Sequence, residues 1–172
     1  MILEHLTDSN YIEKVLAKNK GKFLLLDRDG VINVDYGYVG SKDRLDIYSG
    51  IFSLCKCYST VVFIVTNQSG IGRKYYTDDE FRSLQDHIFK IFNAKGIEII
   101  ATAYCPHLPS DECGCRKPQP GLINELNKRY SIDLSKGFLI GDKETDMLLA
   151  RQFNMKKFQI NWEIGKIPFG LE

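Results

Sequence analysis

The sequence predicts an α/β fold built on a doubly wound parallel sheet. Three short apolar runs, at residues 23–26, 61–65 and 137–140, each stop abruptly at a polar or small residue. Runs that are apolar throughout, without polar alternation, are typical of strands buried on both faces of a parallel sheet. Each run is followed by polar residues and then by helical periodicity, and this βαβα order indicates helices packed on both sides of the sheet.

The segments between these runs carry helix signals. Thr77 and Glu80 form the capping-box pattern, and an apolar stripe with helical spacing follows it as far as Gly96. A second helix is predicted from Pro120, a favourable first-turn residue, to Tyr130. The remaining predicted elements are strands at residues 97–104 and 156–160, a helix after Asp142, and a short capped helix within an N-terminal extension of residues 1–21.

Composition and charge argue against several classes of function. The chain has 172 residues and a net charge of +1, which suits one domain and gives no broad basic face for nucleic acid. No apolar run approaches the roughly 20 residues that span a bilayer, and the N-terminus lacks the pattern of a signal peptide. We therefore expect a single cytoplasmic domain over residues 1–172, monomeric, with neither a nucleic-acid nor a membrane partner.

Polar residues stand at the ends of three predicted strands. Asp27, Thr66 and Asp142 each come at or just beyond the end of an apolar run, although they are far apart along the chain. In doubly wound sheets the ligand site lies outside the carboxyl ends of the strands, where the strand order reverses. These three side chains are therefore predicted to meet in one site.

Asp27 and Asp29 flank a single residue in a predicted tight turn. Taken alone, Asp-x-Asp at a strand end is explained equally well as a structural turn. The functional alternative is phosphate-ester hydrolysis, in which an ionised Asp27 attacks phosphorus to give an aspartyl-phosphate. Asp29 would then protonate the leaving alkoxide and later deprotonate water.

Such an attack requires positive charge, because the carboxylate and the phosphate repel each other. Mg²⁺ takes hard oxygen ligands and retains several waters, and Asp142 is placed to complete its site. Thr66 offers a hydroxyl group to the phosphate oxygens, and Lys117 offers a point charge. The sequence thus predicts a magnesium-dependent phosphatase.

The order Asp-x-Asp-Gly, Thr-Asn, Lys-Pro and Gly-Asp-x-x-x-Asp, over residues 27–146, resembles the motifs of the haloacid dehalogenase (HAD) superfamily. The resemblance implies a HAD-like Rossmannoid sheet, with Asp27 as the nucleophile and Asp29 as the general acid/base. It implies the catalytic residues Asp27, Asp29, Thr66 and Lys117, and the Mg²⁺ ligands Asp27, Asp29 (through its carbonyl) and Asp142. Asp146, one helical turn beyond Asp142, is expected to be a supporting residue.

The segment at residues 105–115 predicts a structural zinc site. Cys105, His107, Cys113 and Cys115 form two pairs of metal-binding residues, each pair with one residue between its members, on either side of a short loop. Zn²⁺ binds such ligands tetrahedrally, and four protein ligands leave no open coordination position. The metal would pin a loop that otherwise has little to pack against, and would fix the residues that follow it.

The remaining cysteines, Cys55 and Cys57, lie two residues apart in a predicted helix, so their side chains point about 200° apart and cannot share a metal. We expect both of them to be core residues.

With its predicted zinc loop, the sequence resembles one group within the superfamily. This is the zinc-bearing group that includes D-glycero-D-manno-heptose 1,7-bisphosphate phosphatases and histidinol-phosphate phosphatases. Residues 33–39, 66–73 and 141–143 are most similar to the heptose group. This resemblance implies substrate contacts at Asp35, Tyr36, Gly37, Tyr38, Thr66, Asn67, Gln68, Ser69, Arg116, Lys117 and Lys143.

The absence of a long insertion after Asp29 or Thr66 predicts that there is no large cap domain. Specificity must then come from loops and charges. Cations at Arg73, Arg116 and Lys143 would hold a second phosphate, which favours the heptose bisphosphate, cleaved at its 7-phosphate. Two alternatives remain open: histidinol phosphate, whose amine would need acidic neighbours such as Asp35 and Asp43, and a non-catalytic, zinc-stabilised binding module.

Overall fold

A six-stranded sheet with helices on both faces forms the protein in a computed structural model, which describes residues 1–163. The strands lie in the order β1-β4-β3-β2-β5-β6, and all neighbours are parallel except β1 and β4. The strands are β1 (Ile2–Glu4), β2 (Phe23–Leu26), β3 (Val61–Asn67), β4 (Glu98–Cys105), β5 (Gly137–Gly141) and β6 (Lys156–Gln159). The α-helices are α1 (Ser9–Lys18), α2 (Gly50–Tyr58), α3 (Ser69–Gly72), α4 (Asp78–Asn93), α5 (Gly121–Tyr130) and α6 (Glu144–Gln152).

The central strands are buried on both faces, as their unbroken apolar runs predict. In β2, Phe23 and Leu25 pack into one hydrophobic cluster with residues of α1, α5 and α6. Leu24 and Leu26 point the other way and pack with residues of α2 and α4. All four side chains are fully buried. The alternating directions of side chains along a strand thus supply a core to each layer of helices.

The strand order reverses at β2. From β2 the chain runs through β3 to β4 on one side of the sheet, and then returns to β5 and β6 on the other side. β2 therefore lies between β3 and β5, and the carboxyl ends of these three strands border the crevice where doubly wound folds bind ligands. The prediction of a doubly wound sheet is confirmed, and the described residues contain no large cap.

The helix at residues 78–93 begins as its sequence predicts. The Thr77 hydroxyl oxygen accepts a hydrogen bond from the Glu80 backbone N–H at 3.1 Å, and a Glu80 carboxylate oxygen accepts one from the Thr77 N–H at 2.7 Å. Reciprocal bonds of this kind satisfy two backbone donors that have no partner within the helix. The helix then buries Phe81, Leu84 and Ile88 among its inward-facing residues.

The structure differs from the sequence predictions in the N-terminal extension and in α2, and it adds the short helix α3. The N-terminal extension holds the expected helix, α1, but begins with a strand that was not predicted, because three residues are too few to show alternation. Cys55 is buried as expected, whereas the expectation that Cys57 is a core residue is wrong, since it is exposed. Cys57 lies on the solvent side of α2, about 200° around the helix from Cys55.

Across residues 1–163, none of the helices combines the length and the hydropathy that a membrane-spanning helix requires.

Candidate active site

Asp27 lies directly beyond β2, at the point where the strand order reverses. Its side chain is nearly buried, and Oδ1 accepts a hydrogen bond from the Arg28 backbone N–H at 2.7 Å. Gly30 continues the turn with a φ of +87°, a conformation that L-residues rarely adopt. A Cβ atom at Gly30 would also overlap the Asp142 carboxylate, so this glycine lets the two strand ends approach each other.

Lys117 is a buried cation beside Asp27. Its ammonium group lies 3.0 Å from Asp27 Oδ1 and 2.6 Å from Asp146 Oδ1, and it donates a hydrogen bond to the Val65 carbonyl oxygen at 2.8 Å. Burial lowers the pKa of Lys117, but the two carboxylates outweigh burial and raise the pKa above its usual value. Lys117 is therefore charged at neutral pH.

Asn67 attaches the Lys117 segment to the end of β3. Its side-chain amide donates to the Lys117 carbonyl oxygen at 3.2 Å and accepts from the Lys117 N–H at 3.0 Å. Both backbone groups of Lys117 are therefore held by a residue of the sheet. The sequence predicted that Asn67 contacts the substrate. In the structure both the nitrogen and the oxygen of its amide bind the Lys117 backbone.

Three carboxylates meet near Lys117. Asp27, Asp142 and Asp146 place ligand oxygens within 4.8 Å of one another. Among the described residues, Asp142 Oδ1 is a buried oxygen with no hydrogen-bond partner. Burial, assisted by the nearby charge of Asp27, raises the pKa of Asp142 to about 6.

The charge of this cluster suits a divalent cation. Three ionised carboxylates and the Lys117 ammonium sum to a charge of −2, and hard oxygen donors are the ligands that Mg²⁺ prefers. An unpartnered buried carboxylate oxygen, as on Asp142, is a polar group that a cation would satisfy. The residues present therefore fit the metal that the sequence predicted. Asp146, expected to be a supporting residue, joins the cluster through its contact with Lys117.

Asp29 has a different environment from the other acidic residues. Its carboxylate accepts hydrogen bonds from the Arg28 guanidinium at 2.8–3.1 Å, from the Asn33 amide at 2.9 Å and from the Gln68 amide at 2.9 Å. These bonds hold the carboxylate outside the three-carboxylate cluster. Of the three predicted metal ligands, Asp29 is the one whose side chain lies outside the cluster, and its carbonyl contact stays a prediction.

A cavity of about 450 Å³ opens over these groups. All four predicted catalytic residues line it, and so do most of the predicted substrate contacts. Tyr36 does not line the cavity: its side chain is exposed and its hydroxyl donates to Asp46 at 2.6 Å. Residues that line the cavity without having been predicted are Tyr76 and Thr145.

Lys143 and Asp35 form an ion pair at the edge of the cavity. The Lys143 ammonium lies 3.1 Å from Asp35 and 3.6 Å from Asp142. Burial lowers the pKa of Lys143, but the charges of Asp142 and Asp27 and the contact with Asp35 raise it overall. The pair connects the loop after β2 to the start of α6, and it keeps a positive charge at the cavity wall.

An aromatic cluster lies on the same side of the cavity. Tyr38 packs edge-on against Tyr75 with ring centroids 4.9 Å apart, and the Arg73 guanidinium lies 5.7 Å from the Tyr38 ring centroid. Tyr38 has a φ of +53°, which is rare for a bulky residue and indicates that the surrounding loop holds it in place. Of these three residues, Tyr38 lines the cavity.

The predicted zinc ligands are grouped after β4. Four of the distances between the Cys105, Cys113 and Cys115 sulfurs and His107 Nδ1 lie between 3.2 and 3.5 Å. A tetrahedral zinc with ordinary bond lengths places its ligand atoms about 3.4–3.8 Å apart. The four side chains therefore fit zinc. The group directly precedes Arg116, whose guanidinium donates to the His107 carbonyl oxygen at 3.4 Å.

The fold and the site together define a HAD-like phosphatase: an aspartate at the switch point, a second aspartate two residues on, and a lysine and acidic residues from later strand ends. A sequence model of the HAD-hydrolase-like family matches residues 114–161. A crystal structure of D,D-heptose 1,7-bisphosphate phosphatase from B. bronchiseptica, complexed with magnesium and phosphate, is similar at a TM-score of 0.74 and 30% identity, covering 87% of this chain and 89% of that one.

Curated relatives are similar over most of their length. The D-glycero-beta-D-manno-heptose-1,7-bisphosphate 7-phosphatase of Helicobacter pylori strain 26695 is 41% identical over 80% of this chain and 82% of its own. The D-glycero-alpha-D-manno-heptose-1,7-bisphosphate 7-phosphatase of Campylobacter jejuni is 40% identical over 74% and 75%. The chain belongs to this family of HAD-like phosphatases, and the prediction that it is an enzyme is confirmed.

Sequence reasoning missed the contacts that connect Arg28, Gln68 and Tyr76 to Asp29. Gln68 was predicted only as a substrate contact, while Arg28 and Tyr76 had no prediction. The local signal for Arg28 is its position between Asp27 and Asp29, in a stretch with Leu26 before it and Val31 after it. No local signal connects Tyr76 with Asp29.

Proposed function

We propose that this phosphatase removes the 7-phosphate of D-glycero-D-manno-heptose 1,7-bisphosphate through an aspartyl-phosphate on Asp27. The observation that carries the proposal is the position of Asp27, beside a buried lysine and two further carboxylates, at the floor of an open cavity. The names of the relatives support the substrate. The heptose product would enter lipopolysaccharide or capsule synthesis, as the family resemblance implies.

In the first step, a carboxylate oxygen of Asp27 forms a bond to phosphorus while the bond from phosphorus to the sugar oxygen breaks. The electron pair of the broken bond stays on the sugar oxygen, which receives a proton from the Asp29 carboxyl. Thr66 and Lys117 hold the phosphoryl oxygens through a hydroxyl group and an ammonium group. Backbone and side-chain contacts hold Lys117 in place, so it stabilises charge without reorganising.

In the second step, Asp29 removes a proton from water, whose oxygen attacks phosphorus. The bond between phosphorus and Asp27 breaks, inorganic phosphate leaves, and both carboxyl groups return to their starting states. Bonds from several donors orient the Asp29 side chain, which acts as an acid in its protonated form in the first step and as a base in its ionised form in the second.

Two metal ions complete the proposal. The side chains of Asp27 and Asp142 and the carbonyl of Asp29 would hold Mg²⁺, which supplies charge neutralisation for the approach of carboxylate to phosphate. Cys105, His107, Cys113 and Cys115 would hold a structural Zn²⁺.

The second phosphate of the substrate has cations to bind. Arg116 and Lys143 line the cavity, and Arg73 lies over Tyr38 at its edge. Lys143 already contacts Asp35, so a phosphate would compete with that carboxylate for the same ammonium group. A guanidinium at Arg116 can bind a phosphate through two parallel hydrogen bonds. These contacts favour a bisphosphorylated sugar over a monophosphate that carries an amine.

The nucleophile is tested with Asp27→Asn, which removes the attacking charge and nearly preserves shape. We expect kcat to fall by about 10³-fold or more, because the covalent route is lost. Phosphate release is measured with saturating Mg²⁺, and Asp79→Asn, at an exposed carboxylate of α4, serves as the control that keeps activity. Phosphate release by Asp27→Asn at the wild-type rate would falsify the mechanism.

The substrate is tested by comparing kcat/KM for the α and β anomers of the heptose bisphosphate, fructose 1,6-bisphosphate and histidinol phosphate. We expect one heptose anomer to exceed histidinol phosphate by about 10²-fold or more, since several charge-assisted contacts act on the second phosphate. Both anomers are included because relatives named for each match at about 40% identity. A preference for histidinol phosphate would overturn the substrate assignment.

We propose further that the protein is a cytoplasmic monomer of one domain. The thiols of the zinc-fitting group must be reduced to bind metal, which suits a reducing compartment. Sedimentation equilibrium of the purified protein is expected to give one chain mass, and a dimer mass at micromolar concentration would contradict the monomer.

A further inference from the structure

The Gln68 side chain is buried and contacts Asp29. Only 2% of its surface is exposed, and its amide nitrogen donates to Asp29 Oδ2 and to Thr66 Oγ1, both at 2.9 Å. Its amide oxygen accepts a hydrogen bond from the Tyr76 hydroxyl at 2.6 Å. The nitrogen and the oxygen of the amide are thus both engaged by neighbours within the protein.

Tyr76 sets the orientation of this amide. A phenol that donates to the amide oxygen leaves the NH₂ group facing Asp29 and Thr66. In the flipped orientation the amide oxygen would face the Asp29 carboxylate, and two acceptors would repel each other. Burial raises the pKa of Tyr76 to about 12, so the phenol keeps its proton at neutral pH.

The fold reserves space for the Tyr76 ring. A Cβ atom at Gly40 or at Gly70 would overlap ring atoms of Tyr76, so both backbones approach the ring as only glycine allows. The ring is 8% exposed. Tyr76 therefore has a fixed position between the loop after β2 and the helix after β3, with its hydroxyl directed at Gln68.

We propose that Gln68 and Tyr76 are positioning residues for Asp29: the Tyr76 hydroxyl orients the Gln68 amide, which in turn aims the Asp29 carboxyl at the oxygen of the leaving group. The inference rests on the proposed function, in which Asp29 is the general acid/base. The Arg28 guanidinium contacts both oxygens of Asp29 and Asn33 holds Oδ1, while Gln68 adds a second contact to Oδ2 on the side shared with Thr66. Loss of the Gln68 contact leaves Oδ2 with the Arg28 guanidinium as its remaining donor, and the carboxyl then turns toward Arg28 and away from its line of proton transfer.

The consequence depends on the leaving group. The alkoxide of a sugar is a strong base and needs a proton from Asp29 as the bond to phosphorus breaks. The 4-nitrophenolate ion is a weak base and leaves without a proton. A variant in which only the orientation of the Asp29 carboxyl is disturbed must therefore hydrolyse an alkyl phosphate ester much more slowly, and an aryl ester nearly as fast as before. General damage to the site slows the hydrolysis of both esters equally.

The experiment measures kcat/KM for 4-nitrophenyl phosphate and for the sugar phosphate that the wild type hydrolyses best. The variants are Tyr76→Phe, which keeps the ring, and Gln68→Met, which keeps the length of the side chain without its polar atoms. Tyr11→Phe, at an exposed tyrosine of α1 that does not line the cavity, is the control. Because kcat/KM reports only the steps up to the first irreversible one, it isolates phosphoryl transfer from hydrolysis of the aspartyl-phosphate.

We expect both variants to lose about tenfold or more on the sugar phosphate and less than about threefold on 4-nitrophenyl phosphate. Equal losses on the two esters, or no loss, would overturn the inference while leaving the phosphatase function intact. A wild type that hydrolyses neither ester would instead refute the proposed function. Thermal unfolding of each variant identifies misfolding, and a misfolded Tyr76→Phe leaves Gln68→Met to decide the outcome.

Discussion

A buried lysine is tolerated at position 117 because each polar partner of its ammonium group is supplied by a different strand end. Val65 comes from β3, Asp27 follows β2, and Asp146 lies in α6 after β5. An unpaired buried ammonium would lose its proton instead. The two carboxylates keep the charge, and Lys117 in turn lowers the cost of placing three acidic residues together.

The acidic residue at position 146 gives a prediction for metal affinity. Asp146→Asn removes one negative charge from a cluster whose net charge is −2, and leaves Lys117 with Asp27 as its remaining carboxylate partner. We expect the Mg²⁺ concentration for half-maximal activity to rise by about tenfold or more, as changes next to metal ligands typically do. A magnesium titration of phosphate release measures the effect.

The matched control for this prediction is Asp133→Asn, at an exposed acidic residue before β5, which should leave the magnesium titration unchanged. An unchanged titration in Asp146→Asn as well would show that Asp146 neither contributes charge to the metal site nor acts through Lys117.

At the scale of elements, the loop between β4 and α5 connects two sites. It begins at Cys105, the last residue of β4, and the segment after it carries Arg116 and Lys117 into the cavity. The loop packs on α3, where the Gly72 N–H donates to the Pro106 carbonyl oxygen at 3.0 Å. It has few apolar side chains of its own, so a metal would be the main source of its rigidity.

The zinc prediction follows from this loop. Cys113→Ser removes one thiolate from the tetrahedral group, and we expect the purified protein to lose bound zinc. The melting temperature should fall by about 5 °C or more, because the loop loses a metal that holds it in place. In a domain of this size a fall of about 5 °C corresponds to roughly 1–2 kcal/mol of unfolding free energy. Metal analysis and thermal unfolding measure the two effects.

The control is Cys57→Ser, which changes an exposed cysteine outside the cluster and should alter neither zinc content nor melting temperature. If the wild-type protein purified from zinc-containing medium holds no zinc, the structural site is refuted.

At the scale of the whole molecule, the N-terminal segment is attached to the sheet through a buried histidine. The His5 side chain is 1% exposed, its Nε2 lies 3.0 Å from the Thr102 hydroxyl, and its ring stacks on Phe89. Burial lowers the pKa of His5 to about 4, although Asp86 at 3.6 Å acts in the opposite direction. The folded protein therefore holds His5 neutral.

This histidine makes stability depend on pH. Between about pH 6.5 and pH 4 the unfolded chain binds a proton at His5 that the folded protein does not, so acidification through this window favours unfolding. The full effect is about 3 kcal/mol, and it is complete below pH 4, where both states are protonated. The contribution of His5 to stability should therefore rise with pH up to about 6.5 and stay constant above it.

Urea unfolding at pH 7, 6 and 5 measures the effect. His5→Gln should lose most of this pH dependence, while His87→Gln, on the partly exposed side of α4, should keep it. A wild-type slope equal to that of His5→Gln would show that His5 does not carry the effect.

The sequence by itself determined the features that depend on neighbouring residues. The apolar runs of β2, β3 and β5 specified buried strands, and the capping box at Thr77 specified the start of α4. Short spacing also identified the aspartates after β2 and the four residues that fit zinc. Such patterns can be recognised in a sequence because periodicity, capping and the spacing of metal ligands each involve only a few neighbouring residues.

Only the tertiary structure decided which of these groups touch each other. The pairing of Lys117 with Asp146, the connection from Tyr76 through Gln68 to Asp29, and the edge strand β1 against β4 all join residues distant in sequence. All three depend on the order of strands in the sheet, and the positions of Asp146 and Tyr76 also depend on close backbone approaches at glycines. Neither feature produces a periodic pattern in the sequence. The sequence placed the reactive groups at strand ends, and packing between the strands set their contacts.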